Sequence, residues 1–217
     1  MFIHQHPYSP FLPDKVEKLI VGTIPPPRFS TGQLFQEDVD FCYGSKYGLL
    51  WPIMERLFDH SLDYENTSKA IEQRKQLLIR NRIGICDLVE SCSRERPEAS
   101  DLGMKDIVLR NLPQVLSENP SVKQILFMGG ASKNGPEYLF HQQVRNQGLR
   151  MRLQRSDSPR IHELYLENRR VDCVSLISPS SAANRSIGGH PFYKKMKTLN
   201  PSYSTLDFRV SQYAEFF

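Results

Sequence analysis

Residues 173–196, CVSLISPSSAANRSIGGHPFYKKM, pass from an apolar, β-branched run into Ser178-Pro179-Ser180-Ser181, a stretch with almost nothing to bury. Ser178, Ser180 and Ser181 can bring hydroxyls and backbone N–H groups against phosphate oxygens without side-chain bulk, and Arg185, Lys194 and Lys195 downstream add positive charge. The competing reading is a hydroxyl-capped turn that enters a helix starting near His190-Pro191. Asp87 is the second group of interest, because it interrupts the apolar run RIGICDLV. A carboxylate there is either buried and satisfied by a loop or turned toward a ligand, since an unpaired buried charge is too costly to keep.

Several other chemistries lack their signatures. No G-x-G-x-x-G follows a strand and no G-x-x-x-x-G-K-[ST] occurs, so nucleotide cofactors lose support. There is no G-x-S-x-G elbow, and none of the six histidines falls at an expected strand end, which argues against a Ser-His-Asp hydrolase. The cysteines, Cys42, Cys86, Cys92 and Cys173, form no C-x-x-C pair and read as reduced thiols filling the core, with no metal site and no cofactor expected. The formal charge of +4 permits nucleic-acid binding without demonstrating it. No apolar run approaches the roughly 20 residues of a membrane helix, and the N-terminal residues MFIHQHPYSPFLPDK lack a secretion pattern, so a cytoplasmic protein without membrane contact is expected.

The elements that would position these groups follow from apolar spacing. Residues 18–24 (KLIVGTI) read as a strand stopped by Pro25 to Pro27. Residues 47–58 and 67–80 have helical spacing, and residues 82–89 read as a second strand carrying Asp87. A helix over 106–116, a strand over 123–128 closed by Gly129-Gly130, and a helix over 136–145 come next. Residues 151–154 suggest a short edge strand, 155–160 a loop, and 171–177 the last central strand. Strands separated by helices predict an α/β protein, a three-layer αβα sandwich around a mostly parallel sheet of about four strands. With 217 residues, one domain spanning 1–217 is the default. Ligands of such sheets lie beyond the carboxyl ends of the strands, which puts 23–27, 87–91, 129–132 and 178–183 on one rim.

Taken together, LIVGTIPPP, FCYGSKYGLLWPIMERLF, GICDLVESCSRE, ILFMGG and LISPSSAANRS resemble, in order and setting, the motifs of the uracil-DNA glycosylase superfamily. The branch most similar is the hypoxanthine-DNA glycosylase type, through Gly22-Thr23-Ile24-Pro25, while Ser178-Pro179-Ser180-Ser181 resembles the Ser-Pro-x-Ser loop of classical uracil excision enzymes. The resemblance implies base excision from DNA. The base is flipped into a pocket and read by Asp87, with Ile24, Phe41 and Tyr43 as base-binding residues. Ser178, Ser180, Ser181, Arg185 and Lys194 would hold the DNA phosphates. Trp51 is assigned to the core with Leu50, Met54 and Phe58.

The chain also departs from the pattern. The catalytic Asn of the hypoxanthine branch corresponds to Gly48, the water-positioning polar residue of the first motif to Ile24, the His of the last motif to Leu176, and the apolar wedge to Ser180. Thr23, Ser45 and Asp87 are then the candidate catalytic groups, with Tyr43 and Lys46 nearby. The expectation is a monomeric DNA glycosylase, free of metal and cofactor, that removes deaminated bases such as uracil or hypoxanthine. The alternatives are a DNA-binding protein that keeps the fold without cutting, and an α/β enzyme acting on a free nucleoside.

Overall fold

A computed structural model describes all 217 residues. The chain runs β1 (Phe2–Gln5), β2 (Lys18–Gly22), α1 (Pro27–Ser30), α2 (Leu50–Phe58) and α3 (Ser68–Arg80). It continues through β3 (Ile83–Asp87), β4 (Val89–Arg94), β5 (Lys105–Leu109), α4 (Leu112–Glu118), β6 (Gln124–Phe127) and α5 (Pro136–Asn146). It finishes with β7 (Met151–Arg155), β8 (Arg160–Leu166), β9 (Arg169–Ser175), α6 (Asn184–Gly189), α7 (Pro191–Leu199) and α8 (Thr205–Tyr213). Local chemistry sets several of these boundaries. Pro26 and Pro27 turn the chain after β2, and the Thr67 hydroxyl accepts the Ala70 N–H at 3.2 Å to start α3.

The central sheet has the order β3-β2-β6-β9-β8-β7, with β3, β2, β6 and β9 parallel and β8 and β7 antiparallel to their neighbours. Six strands therefore replace the four expected. The strand missed in the sequence is β8, where Glu163 and His162 interrupt the apolar alternation. A two-residue turn at Glu167-Asn168, both with positive φ, returns it to β9. The residues read as a loop, 155–160, therefore contain the end of β7 and the start of β8.

A second sheet, β1-β4-β5, is entirely antiparallel and was not foreseen. It corrects the helix expected over 106–116. Residues 105–109 pair with β4, and the helix begins only at Leu112, capped by Asn111, which accepts the Gln114 N–H at 3.3 Å. Pro113 explains the boundary: it fits the first turn of α4 but would break a helix running through it.

Strand alternation divides the core into two layers. Leu19, Val21, Ile125, Phe127 and Cys173 pack with α4, α5 and the small sheet, whereas Ile20, Ile85, Leu126 and Val174 pack with α2, α3 and α8. Trp51 lies in the second layer as expected, its Nε1–H donating to the Cys42 carbonyl at 3.0 Å. All four cysteines are free and buried, and burial pushes the Cys86 thiol up to about 12. No helix is long and apolar enough to cross a membrane. Because β3, β2, β6 and β9 are parallel, Asp87, Gly22, Phe127 and Ser175 end at the same edge of the sheet.

Candidate active site at the strand tips

A cavity of about 320 Å³ opens at that edge, and Thr23, Asp87 and Ser178 all line it. Ile24, Tyr43, Ser45, Ser180 and Ser181 share its wall, so most of the residues singled out in the sequence meet in one cleft. Phe41 does not. It is 7% exposed and packs edge-on against Phe11 and obliquely against Trp51, because the chain turns it into the core two residues before Tyr43. Arg185 and Lys194 are exposed on α6 and α7, and neither lines the cavity.

Asp87 closes β3, 5% exposed, with its two oxygens in different settings. His6, immediately after β1, lies 3.1 Å from Oδ2 through Nε2. The Tyr8 N–H donates to His6 Nδ1 at 3.0 Å, which leaves Nε2 to carry the proton shared with Asp87. A histidine does stand at a strand end, contrary to the expectation from sequence; β1 is too short and polar to announce itself. Asp87 Oδ1 has no hydrogen-bond partner within the protein. A Cβ on Gly22 would overlap the Tyr43 hydroxyl and come within 2.5 Å of Asp87 Oδ1, so a phenol and a free carboxylate oxygen converge over a position only glycine can occupy.

Tyr43 itself adopts φ +57°, a conformation uncommon for a bulky residue. The loop that holds it is organised by Asp38, which is fully buried. Arg28 donates to both Asp38 oxygens at 2.7 and 2.9 Å and to Ser45 Oγ at 2.7 Å, while the Phe35 and Lys46 N–H groups complete the carboxylate's shell. Burial opposes ionisation of Asp38, but these donors prevail and hold its carboxyl below the usual range. Burial, reinforced by Asp87, pushes the Tyr43 phenol well above its ordinary value, so it stays a donor. Ser45 Oγ accepts from Arg28 and from the Tyr47 N–H, at 2.7 and 3.3 Å. Gly48 also lines the wall, where the Ser45 and Tyr43 carbonyls crowd any side chain at 3.0 and 3.2 Å from a Cβ.

A carboxylate not singled out in the sequence also lines the cavity. Asp101, in a 3₁₀ turn between β4 and β5, lines the cavity and accepts from Thr23 Oγ1 at 3.0 Å. Burial raises its carboxyl to about 6, aided by the Asp87 charge and opposed by the Thr23 hydrogen bond and by Arg94. Nothing in the charged stretch SRERPEASD marks Asp101 from its neighbours, and β4 and β5 were not recognised as a sheet.

The serine loop is held from beneath. Tyr213 donates to the Ile177 carbonyl at 2.6 Å, Arg209 to the Ser178 and Ser180 carbonyls at 3.0 and 2.6 Å, and the Leu49 N–H to the Pro179 carbonyl at 2.9 Å. Arg209 is fully buried in α8. With four successive carbonyls bonded into the protein, the N–H groups of Ser178 and Ser180 make no hydrogen bond within it, and both residues line the cavity.

No family model matches the chain, and no curated protein matches it. Among solved structures, it is similar to the solution NMR structure of a "putative Uracil DNA glycosylase" from Methanosarcina acetivorans. The TM-score is 0.55 at 17% identity, over 95% of this chain and 98% of that one. The chain therefore shares, along nearly its whole length, the α/β fold of that archaeal protein.

Proposed function

We propose that the protein is a DNA glycosylase of the uracil-DNA glycosylase superfamily, hydrolysing the N-glycosidic bond of a deaminated base flipped out of DNA. The observation that carries the reading is the convergence, over Gly22, of the free Asp87 oxygen and the Tyr43 hydroxyl in a cavity bordered by the serine loop, whose Ser178 and Ser180 N–H groups have no partner within the protein. An acceptor beside a donor matches an N–H next to a C=O, the edge shared by uracil and hypoxanthine. Extruding the nucleotide costs a few kcal/mol, which phosphate contacts at Ser178 and Ser180, with Arg185 and Lys194 in support, help to offset.

Cleavage moves the bonding electrons onto the departing base and leaves positive charge on the sugar, where water adds. Tyr43 would donate to the base as its negative charge grows. Asp101, ionised above pH 6, would stabilise the cationic sugar and accept a proton from the attacking water. Thr23 orients that carboxylate. The test is incubation with oligonucleotides containing uracil or hypoxanthine, then alkaline cleavage of abasic sites. Strand breakage above that of an Asp87→Ala control is the expected result, and its absence for both bases refutes the enzymatic reading.

The apolar Ile24 and bare Gly48 on the wall favour a second reading, a DNA-binding protein that does not cut. A salt-sensitive gel shift on lesion-bearing DNA without base release would select it.

A further inference from the structure

A second cavity, of about 420 Å³, opens between the tips of β6 and β9 and the start of α5. It adjoins the first across a ridge of Met128, Ser178 and Ser180, which line both, as does Asp101. Two of its polar side chains are buried and each keeps one atom without a partner within the protein. Glu137, the second residue of α5, is 3% exposed, with Oε1 at 3.4 Å from Arg160 Nη1 and 3.7 Å from His162 Nδ1. Glu137 Oε2 has no partner within the protein, and a Cβ on Gly130, another wall residue, would lie 3.9 Å from it. Ser175, the last residue of β9, is 7% exposed, and its Oγ is likewise unpartnered.

These groups define the ligand chemistry. A carboxylate oxygen only accepts, so the ligand must bring an N–H or O–H; the serine hydroxyl then serves a neighbouring acceptor or donor. Glu137 already occupies the positive end of α5 and holds Arg160, another wall residue, in an ion pair, so a phosphate would meet a carboxylate beside an already paired cation. A neutral planar group with an N–H beside an acceptor fits instead, and every nucleobase has such an edge.

We infer that the second cavity seats the base of the nucleotide next to the flipped one, the connecting phosphate lying on the ridge at the Ser178 and Ser180 N–H groups. The inference rests on the reading of the first cavity as a nucleotide site. The protein then engages two successive unstacked nucleotides. In a duplex both must be extruded, at a few kcal/mol each, whereas in a single strand that cost is small. The substrate class is therefore lesion-bearing single-stranded DNA.

The test uses single-stranded oligonucleotides with one uracil or hypoxanthine, the 5′ or the 3′ neighbour being either a normal nucleotide or an abasic tetrahydrofuran analogue. Binding and base release are measured for the full chain and for Glu137→Gln and Ser175→Ala. Removing the base on one side should weaken wild-type binding roughly tenfold, the same removal should matter much less in either variant, and release from single strands should exceed release from the matched duplex at least tenfold. Folding of the variants is checked by their unfolding midpoints, and the flanking-base comparison within wild type needs no variant. If lesion bases are released but affinity is indifferent to both neighbours, the second-base site is overturned while the first reading stands. If no oligonucleotide is bound or cut, both fall.

Discussion

Replacing Asp101 with Asn should make the protein more stable and less active at the same time. The folded carboxyl sits near 6 against an ordinary 3.8, so folding favours its protonated form. Stability from this group is fully present below pH 3.8 and is lost as pH rises through 6. A shift of about 2 pKa units corresponds to about 3 kcal/mol, an upper figure for the cost of ionising it in the folded state at pH 8. Asparagine retains an oxygen to accept the Thr23 hydroxyl but never ionises. Urea unfolding should find wild type and Asp101→Asn nearly equal at pH 4, and the variant ahead by up to about 3 kcal/mol at pH 8, or roughly 6–12 °C in Tm. Other titrating groups cancel in the comparison. Base release at pH 8 should fall by about 10²–10³, and wild-type release should rise with pH through about 6 as the carboxyl ionises. Unfolding midpoints that stay equal from pH 4 to 8 would refute the desolvated carboxylate; an unchanged release rate would remove Asp101 from the chemistry.

Gly22→Ala forces Tyr43 and Asp87 apart, and base release should drop by at least about 100-fold with the unfolding transition still cooperative, as read by paired activity and denaturation curves. Tyr43→Phe keeps the ring and loses the donor; single-turnover release should slow by about 10²-fold with little change in DNA affinity. Arg209→Met strands the Ser178 and Ser180 carbonyls, so a loss of about 2–4 kcal/mol in urea unfolding and at least roughly tenfold weaker DNA binding in gel shifts are expected.

The parallel strands were legible because they are short apolar runs bounded by Pro, Gly or Ser, and Asp87 and the serine loop drew attention as polar breaks at their ends. The groups that complete the cavity were not, for reasons of distance and disguise. His6 reaches Asp87 across 81 residues, and Asp101 reaches Thr23 across 78. Both depend on a small sheet whose strands, FIHQ, VESCSR and KDIVL, mix charged and apolar residues too evenly to announce a period. Arg209, in a C-terminal helix with no motif of its own, looks like any surface cation until its burial is seen. Phe41 and Tyr43 are indistinguishable as types, and only the backbone turn between them sends one into the core and the other to the cavity.

On the proposed function, the inward anchoring of four consecutive carbonyls would leave recognition at the serine loop to the main chain. Exchanging the Ser178 or Ser180 hydroxyl for hydrogen should then be tolerated better than any change beneath it, and the loop would meet a DNA strand already shaped, with no ordering step left to slow the encounter.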